Sequence, residues 1–160
     1  MSTTAPIPSI TATATVSLPV EEAFHVFTAD FTGWWPHQYH IGQADVAEIL
    51  LEPRVGGRWY ERGVDGSECD WGRVLVWEPP GRVVLTWQIS GAWQFDPDPD
   101  RASEIEVLFV EDGPGQTRVE VEHRLFERLD GGQAIYDAIR GGGSWASLLE
   151  SYAKTAANAG

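Results

Sequence analysis

The sequence predicts an α+β fold: one antiparallel sheet of about seven strands and a long C-terminal helix, with two short helices after the first strand. Three observations carry this expectation. Six β-type segments run from Ala44 to Phe126, and most are joined by connectors too short for parallel crossovers. A segment rich in Thr and Val lies ahead of them and passes directly into a helical spacing of apolar residues. The chain then closes on an apolar stripe with the 3.6-residue period of an amphipathic helix.

Met1–Ser9 carries Pro6 and Pro8 and reads as a flexible arm, leaving residues 10–158 as one domain without internal repeat or linker. Ile10 to Leu18 suits a pleated, half-buried strand. Pro19 sits where a helix opens, and Val20, Ala23, Phe24 and Phe27 fall at the i, i+3, i+4, i+7 positions of one buried face. Asp30 can cap a second brief turn bearing Phe31, Trp34 and Trp35, which Pro36 and the polar run His37–His40 bring to a stop.

The six further strands are expected at Ala44–Leu51, Arg58–Val64, Trp71–Trp77, Arg82–Gln88, Ser103–Val110 and Thr117–Leu125. Arg54-Val55-Gly56-Gly57, Asp65-Gly66, Pro79-Pro80-Gly81 and Asp112-Gly113-Pro114-Gly115 supply the positive or fixed φ that tight reversals need. Only Ser90–Ala102 approaches crossover length, so the strands should form a meander. A turn around Gln133–Ile139 precedes Gly141-Gly142-Gly143, where backbone entropy disfavours a continuous helix. Beyond it, Trp145, Leu148, Leu149, Tyr152 and Ala156 share one helix face, opposite Ser147, Glu150, Ser151 and Lys154.

The formal charge of −13, from 11 basic and 24 acidic residues, argues against nucleic acid as a partner, because phosphate binding rests on Lys and Arg. It argues equally against an anionic membrane surface, and every apolar run is broken well short of a membrane-spanning length. A lone Cys69 and an N-terminus without the basic and apolar regions of a secretory leader lead to the expectation of a cytoplasmic protein.

No Gly-x-Ser-x-Gly elbow, P-loop, dinucleotide fingerprint or paired-cysteine motif occurs, so the residues give no warrant for an enzyme or a cofactor. His37 and His40 have metal-ligand spacing, but two imidazoles leave a tetrahedral zinc short of protein ligands. Asp96, Asp98 and Asp100 alternate as calcium ligands can, yet the prolines between them depart from an EF-hand loop and a solvated acidic loop is expected. Metal binding is therefore not expected. Glu104, Glu106, Glu120 and Glu122 alternate with Ile105, Val107, Val119 and Val121 and read as the wet face of two strands.

The same alternation turns His123 inward beside Val119, Val121 and Leu125. Two readings stand for it: a polar anchor or general base in a cavity, or a core imidazole satisfied by a hydrogen bond. Eight Trp, six Phe and four Tyr in so short a chain point to a wide apolar interior, either a ligand cavity or an aromatic core. The candidate ligand-lining set is Phe24, Trp34, Trp35, Trp59, Tyr60, Trp71, Trp87, Trp93 and Trp145, with His123 as its polar member and as the catalytic group if the protein is an enzyme.

Local motifs add a resemblance. Pro19-Val20-Glu21-Glu22-Ala23-Phe24, Trp34-Trp35-Pro36, Gly56-Gly57-Arg58-Trp59-Tyr60, Gly72-Arg73-Val74 before Glu78-Pro79, Thr86-Trp87 and Gly143-Ser144-Trp145 before Leu148-Leu149 are similar to the branch of the SRPBCC superfamily related to the activator of the heat-shock-protein ATPase. The superfamily includes START lipid carriers and the birch-pollen allergen. Asp96-Pro97-Asp98 and Arg118-Val119-Glu120-Val121-Glu122-His123 resemble an actinobacterial subgroup containing the calicheamicin self-sacrifice resistance protein. The resemblance spans about Ile10 to Ala156 and implies a helix-grip fold, a curved sheet wrapped around the C-terminal helix. It implies noncatalytic binding of a hydrophobic or aromatic small molecule, lipid or polyketide-like, between the two. It also implies three alternatives: stimulation of a chaperone ATPase, antibiotic sequestration, or cyclase-like and aromatase-like catalysis. A chaperone ATPase and a second copy of the chain, as a homodimer, are further candidate partners.

Overall fold

The computed structural model describes residues 6–141 and 144–159. Alternation of buried and exposed side chains governs its sheet most clearly in Thr117–Arg124 (β7), where Thr117, Val119, Val121 and His123 point inward and the residues between them outward. β7 is flanked by Ile10–Val16 (β1) on one side and Ser103–Glu111 (β6) on the other, both antiparallel. The sheet continues through Arg82–Trp87 (β5), Glu68–Glu78 (β4), Arg58–Gly63 (β3) and Val46–Leu51 (β2), giving the order β1-β7-β6-β5-β4-β3-β2. From β2 to β7 this is the expected meander.

Three bulges curl the sheet. Pairing jumps past Ala47 between β2 and β3, past Trp71 between β3 and β4, and past Leu75 between β4 and β5. Each extra residue bends its strand and raises the local twist, which closes the sheet into a half-barrel. β4 starts at Glu68, earlier than the expected Trp71, because Tyr60, Glu61 and Arg62 pair with Asp70, Cys69 and Glu68 across the ladder. β7 ends at Arg124 because Leu125 adopts a left-handed conformation with φ of 65°, and Phe126 takes the buried position beyond it.

Gly72 marks the tightest point of the sheet. A Cβ at this position would overlap the carbonyl oxygen of Thr86 on the neighbouring strand, a backbone atom that cannot swing aside. Gly72→Ala is expected to destabilise the fold by about 3 kcal/mol, roughly 10 °C in Tm. Thermal unfolding checks it, and an unchanged Tm would contradict the close approach.

Val20–Ala29 (α1) and Phe31–Trp34 (α2) bridge β1 to β2, with Asp30 accepting from the Gly33 N–H at 3.2 Å. Gly132–Arg140 (α3) buries Ile135 and Ile139. The expected glycine break begins at Gly141, which ends α3; Gly142 and Gly143 lie outside the described residues. Trp145–Ala159 (α4) buries the predicted stripe of Trp145, Leu148, Leu149, Tyr152 and Ala156. Among the described residues no helix is long and apolar enough to cross a membrane.

α4 is tied to the first two helices by its own side chains. Tyr152 donates to the Ala23 carbonyl at 2.8 Å, Thr155 to that of Gly33 at 3.2 Å, and Ser151 to that of Trp34. Under this half of α4 the rings of Phe27, Phe31, Trp34 and Tyr152 interlock, with Phe27 4.8 Å from Trp34 and 5.2 Å from Tyr152. That end of the interior is solid. On the convex face Arg124 bonds Glu104, Glu106 and Glu122, while Arg82 bonds Glu106 and holds its carboxyl below the usual range. The wet face expected for these glutamates is therefore an ion-pair lattice.

Candidate functional site

The opposite end of the interior is hollow. Where the N-terminal turn of α4 faces β4 and β5, a cavity of about 330 Å³ opens, within the usual size range of small-molecule sites. Its walls include Trp35, Trp71, Trp87, Trp93 and Trp145, contributed by five separate stretches of chain. Ile41, Ile89, Ala138, Ile139 and Leu148 complete the apolar surface, and Gln38, Tyr39 and His40 line it from the segment after α2.

Four of the five indoles are fixed by their own N–H groups. Trp35 donates to the Tyr39 carbonyl at 2.9 Å and Trp87 to that of Ile89 at 3.1 Å. Trp71 donates to Glu61 Oε1 at 2.9 Å, and Trp145 to His123 Nδ1 at 3.1 Å. An indole whose only donor is already engaged offers a visitor its π-face and edge carbons. The cavity is thus walled largely by indole faces, and its side-chain polarity is concentrated along residues 38–40. Trp93 is different: 46% exposed, with φ of 59°, it holds a conformation that costs a bulky residue about 1 kcal/mol or more. It stands at the cavity's margin on the turn closed by its N–H to the Ser90 carbonyl.

The other five residues of the sequence-based set lie elsewhere. Trp34 belongs to the solid cluster with Phe27 and Tyr152. Trp59 is fully buried behind the cavity wall, edge-on to Trp71 at 5.2 Å. Tyr60, next to it on β3, must point to the other face of the sheet, where the Arg58 guanidinium covers its ring at 3.9 Å. Phe24 packs against Trp77 and Phe109 and borders a separate groove beside Pro79 and Pro80.

His123 sits behind the chamber with both nitrogens engaged. Indole can only donate, so Nδ1 accepts from Trp145 and the ring proton is on Nε2, which donates to Ser103 Oγ at 2.8 Å. The Ser103 hydroxyl donates onward to the Trp87 carbonyl at 3.3 Å. Complete burial pushes this imidazole down to about 3, so it is neutral at physiological pH and has no lone pair left for a ligand. Of the two readings, the satisfied core imidazole is the one this geometry supports.

The metal candidates also separate. His37 Nε2 donates to the Thr32 carbonyl at 2.8 Å, whereas His40 Nδ1 faces Glu61 Oε2 at 3.5 Å. Asp96 is buried, not solvated: it accepts two bonds from Arg101, at 2.7 and 3.2 Å, which lower its carboxyl below the usual range. Sequence reasoning did not single out Glu61 or Ser103. Glu61 is 2% exposed, and its signal was its spacing of two from Trp59, which puts both on the inner face.

A half-barrel gripping its C-terminal helix over an apolar cavity is the helix-grip architecture of the SRPBCC superfamily. The family model described as Activator of Hsp90 ATPase homolog 1-like protein matches residues 17–154, and the chain belongs to that family. The solved structure of Txn09, an anthrahydroquino-gamma-pyrone synthase complexed with SUM, shares 44% identity over 94% of this chain and 97% of that one, with a TM-score of 0.67. The self-sacrificing resistance protein CalC from Micromonospora echinospora shares 31% over 96% of each chain, with a TM-score of 0.70. Protein NE0264 from Nitrosomonas europaea, at 14% identity and a TM-score of 0.62, shares the fold. The comparison with curated proteins finds no match.

Proposed function

We propose that the chain binds a flat, largely aromatic small molecule of polyketide type in the tryptophan chamber. The observation that carries this reading is the set of four indoles with their N–H groups fixed to protein acceptors, which leaves aromatic faces as the recognition surface. Burying about 300 Å² of apolar ligand area would contribute on the order of 7 kcal/mol before association and ordering costs, which sets micromolar affinity as the ceiling for that term. Kinship with Txn09 and CalC supports the reading, since the first is named for an anthrahydroquinone-type product and the second for resistance. The name of Txn09 as a synthase also favours a second reading, in which the bound aromatic is converted rather than only held.

Titration with hydroxyanthraquinones, read by tryptophan quenching and native mass spectrometry, tests the binding claim. Saturable quenching with one ligand per chain is expected. Linear, unsaturable quenching by the whole panel would remove the proposal.

A further inference from the structure

We propose that His40 accepts the proton of an acidic hydroxyl on the ligand in the tryptophan chamber, and that Glu61 positions it for this; the inference rests on the aromatic-ligand reading of the same cavity. Glu61 projects from β3 to the inner side of the sheet, where it is 2% exposed. Its Oε1 accepts two bonds, from the Ile41 N–H at 2.7 Å and from Trp71 Nε1 at 2.9 Å. One of these holds the segment that carries His40, and the other holds a wall of the chamber. Oε2 is left facing His40 Nδ1 at 3.5 Å, with the His40 side chain 23% exposed.

The two nitrogens of His40 differ. Nδ1 is enclosed and has no hydrogen-bond partner among the described residues, so the carboxylate 3.5 Å away is the acceptor within reach of a proton there. A small ring rotation on ligand binding would shorten that contact to a bond. A buried N–H aimed at a carboxylate is favoured over a lone pair aimed at one, which assigns the proton to Nδ1 and leaves Nε2 with its lone pair. Nε2 makes no hydrogen bond among the described residues and is not enclosed, and His40 is part of the chamber wall.

In the proposed step the ligand O–H bond breaks, its electron pair stays on oxygen, and an Nε2–H bond forms. The products are a ligand oxyanion and an imidazolium, the latter beside the Glu61 carboxylate; the proton returns to the same oxygen or to another ligand atom, and nothing is oxidised or reduced. Among the described residues no Lys or Arg lines the chamber, so the imidazolium is the cation that meets the oxyanion. The other titratable groups nearby are Tyr39 on the chamber wall and Cys69, whose thiol is pushed up by burial and by Glu61.

The test uses 2-hydroxyanthraquinone, whose visible band moves to longer wavelength on ionisation, at a pH one unit below the free probe's own midpoint. The wild-type protein should bind it with the ionised band dominant. His40→Gln, which removes a chamber-wall group, should bind the probe more weakly, and the bound probe should show the protonated band. Glu61→Gln keeps an oxygen for Ile41 and Trp71 but turns an amide N–H toward Nδ1. It should therefore move the His40 proton to Nε2, visible in the nitrogen-15 spectrum of the ring, and lose the ionised band as well. An ionised band that persists in His40→Gln, or a protonated band in the wild type, overturns the inference while the binding site stands. Absence of saturable quenching in the wild type overturns the underlying reading and this one with it. His40→Gln, at a partly exposed position, decides the matter if Glu61→Gln fails to fold.

Discussion

Lowering the pH from 7 to 4 is expected to remove about 3 kcal/mol of stability through His123 alone. In the unfolded chain this imidazole takes up a proton near its ordinary value of 6.5, whereas burial keeps it neutral in the folded protein down to about 3. Between those values the unfolded state binds more protons. The contribution is thus complete above pH 6.5 and is lost progressively as the pH falls toward 3. Protonation would also set an N–H at Nδ1 against the Trp145 N–H, donor against donor, in a site without water access. Urea midpoints at the two pH values measure the effect. A His123→Gln variant, lacking the titrating ring but keeping every carboxylate, should lose less over the same interval. Equal losses in the two proteins would assign the acid sensitivity to other groups.

Trp145→Ala is expected to cost about 3–5 kcal/mol of stability and to weaken ligand binding by more than tenfold. Trp145 is 1% exposed and serves two structures at once, as a wall of the chamber and as the donor to His123. Trp145→Phe separates these roles. It keeps an aromatic face toward the ligand but leaves His123 Nδ1 without a donor, a loss of roughly 1–3 kcal/mol with binding largely retained. Chemical denaturation and quenching titrations on both variants check the pair. A phenylalanine variant as defective in binding as the alanine one would show that stacking is not what the chamber offers.

Residue spacing carried most of the fold. The stripe from Trp145 to Ala156 and the alternation of Thr117–His123 are period signals that burial enforces directly, so they survive into the structure unchanged. The turn glycines likewise announced the tight reversals, and Gly56, Gly66, Gly113 and Gly115 take the positive φ that those turns need. The chamber was only half legible. Composition showed that many indoles needed housing, but a Trp in a wall and a Trp in a filled core have the same sequence signature. Trp34 and Trp35 are adjacent, yet one fills the core and the other faces the cavity. The bulge at Trp71 was invisible for a different reason: it depends on how two strands register, which no single strand reveals. Glu61 was overlooked because a glutamate between an arginine and a tyrosine reads as surface, although its parity with Trp59 placed it inside.

The uneven filling beneath α4 also bears on how readily such a protein can be altered. The interlocked rings of Phe27, Phe31, Trp34 and Tyr152 hold the scaffold, whereas the side chains of Gln38, Tyr39, Trp93 and Ala138 border the cavity. If the cavity binds as proposed, diversifying that second group should change what the protein accepts while leaving its folding margin nearly intact. A laboratory library confined to those few positions would exploit this division between scaffold and cavity margin.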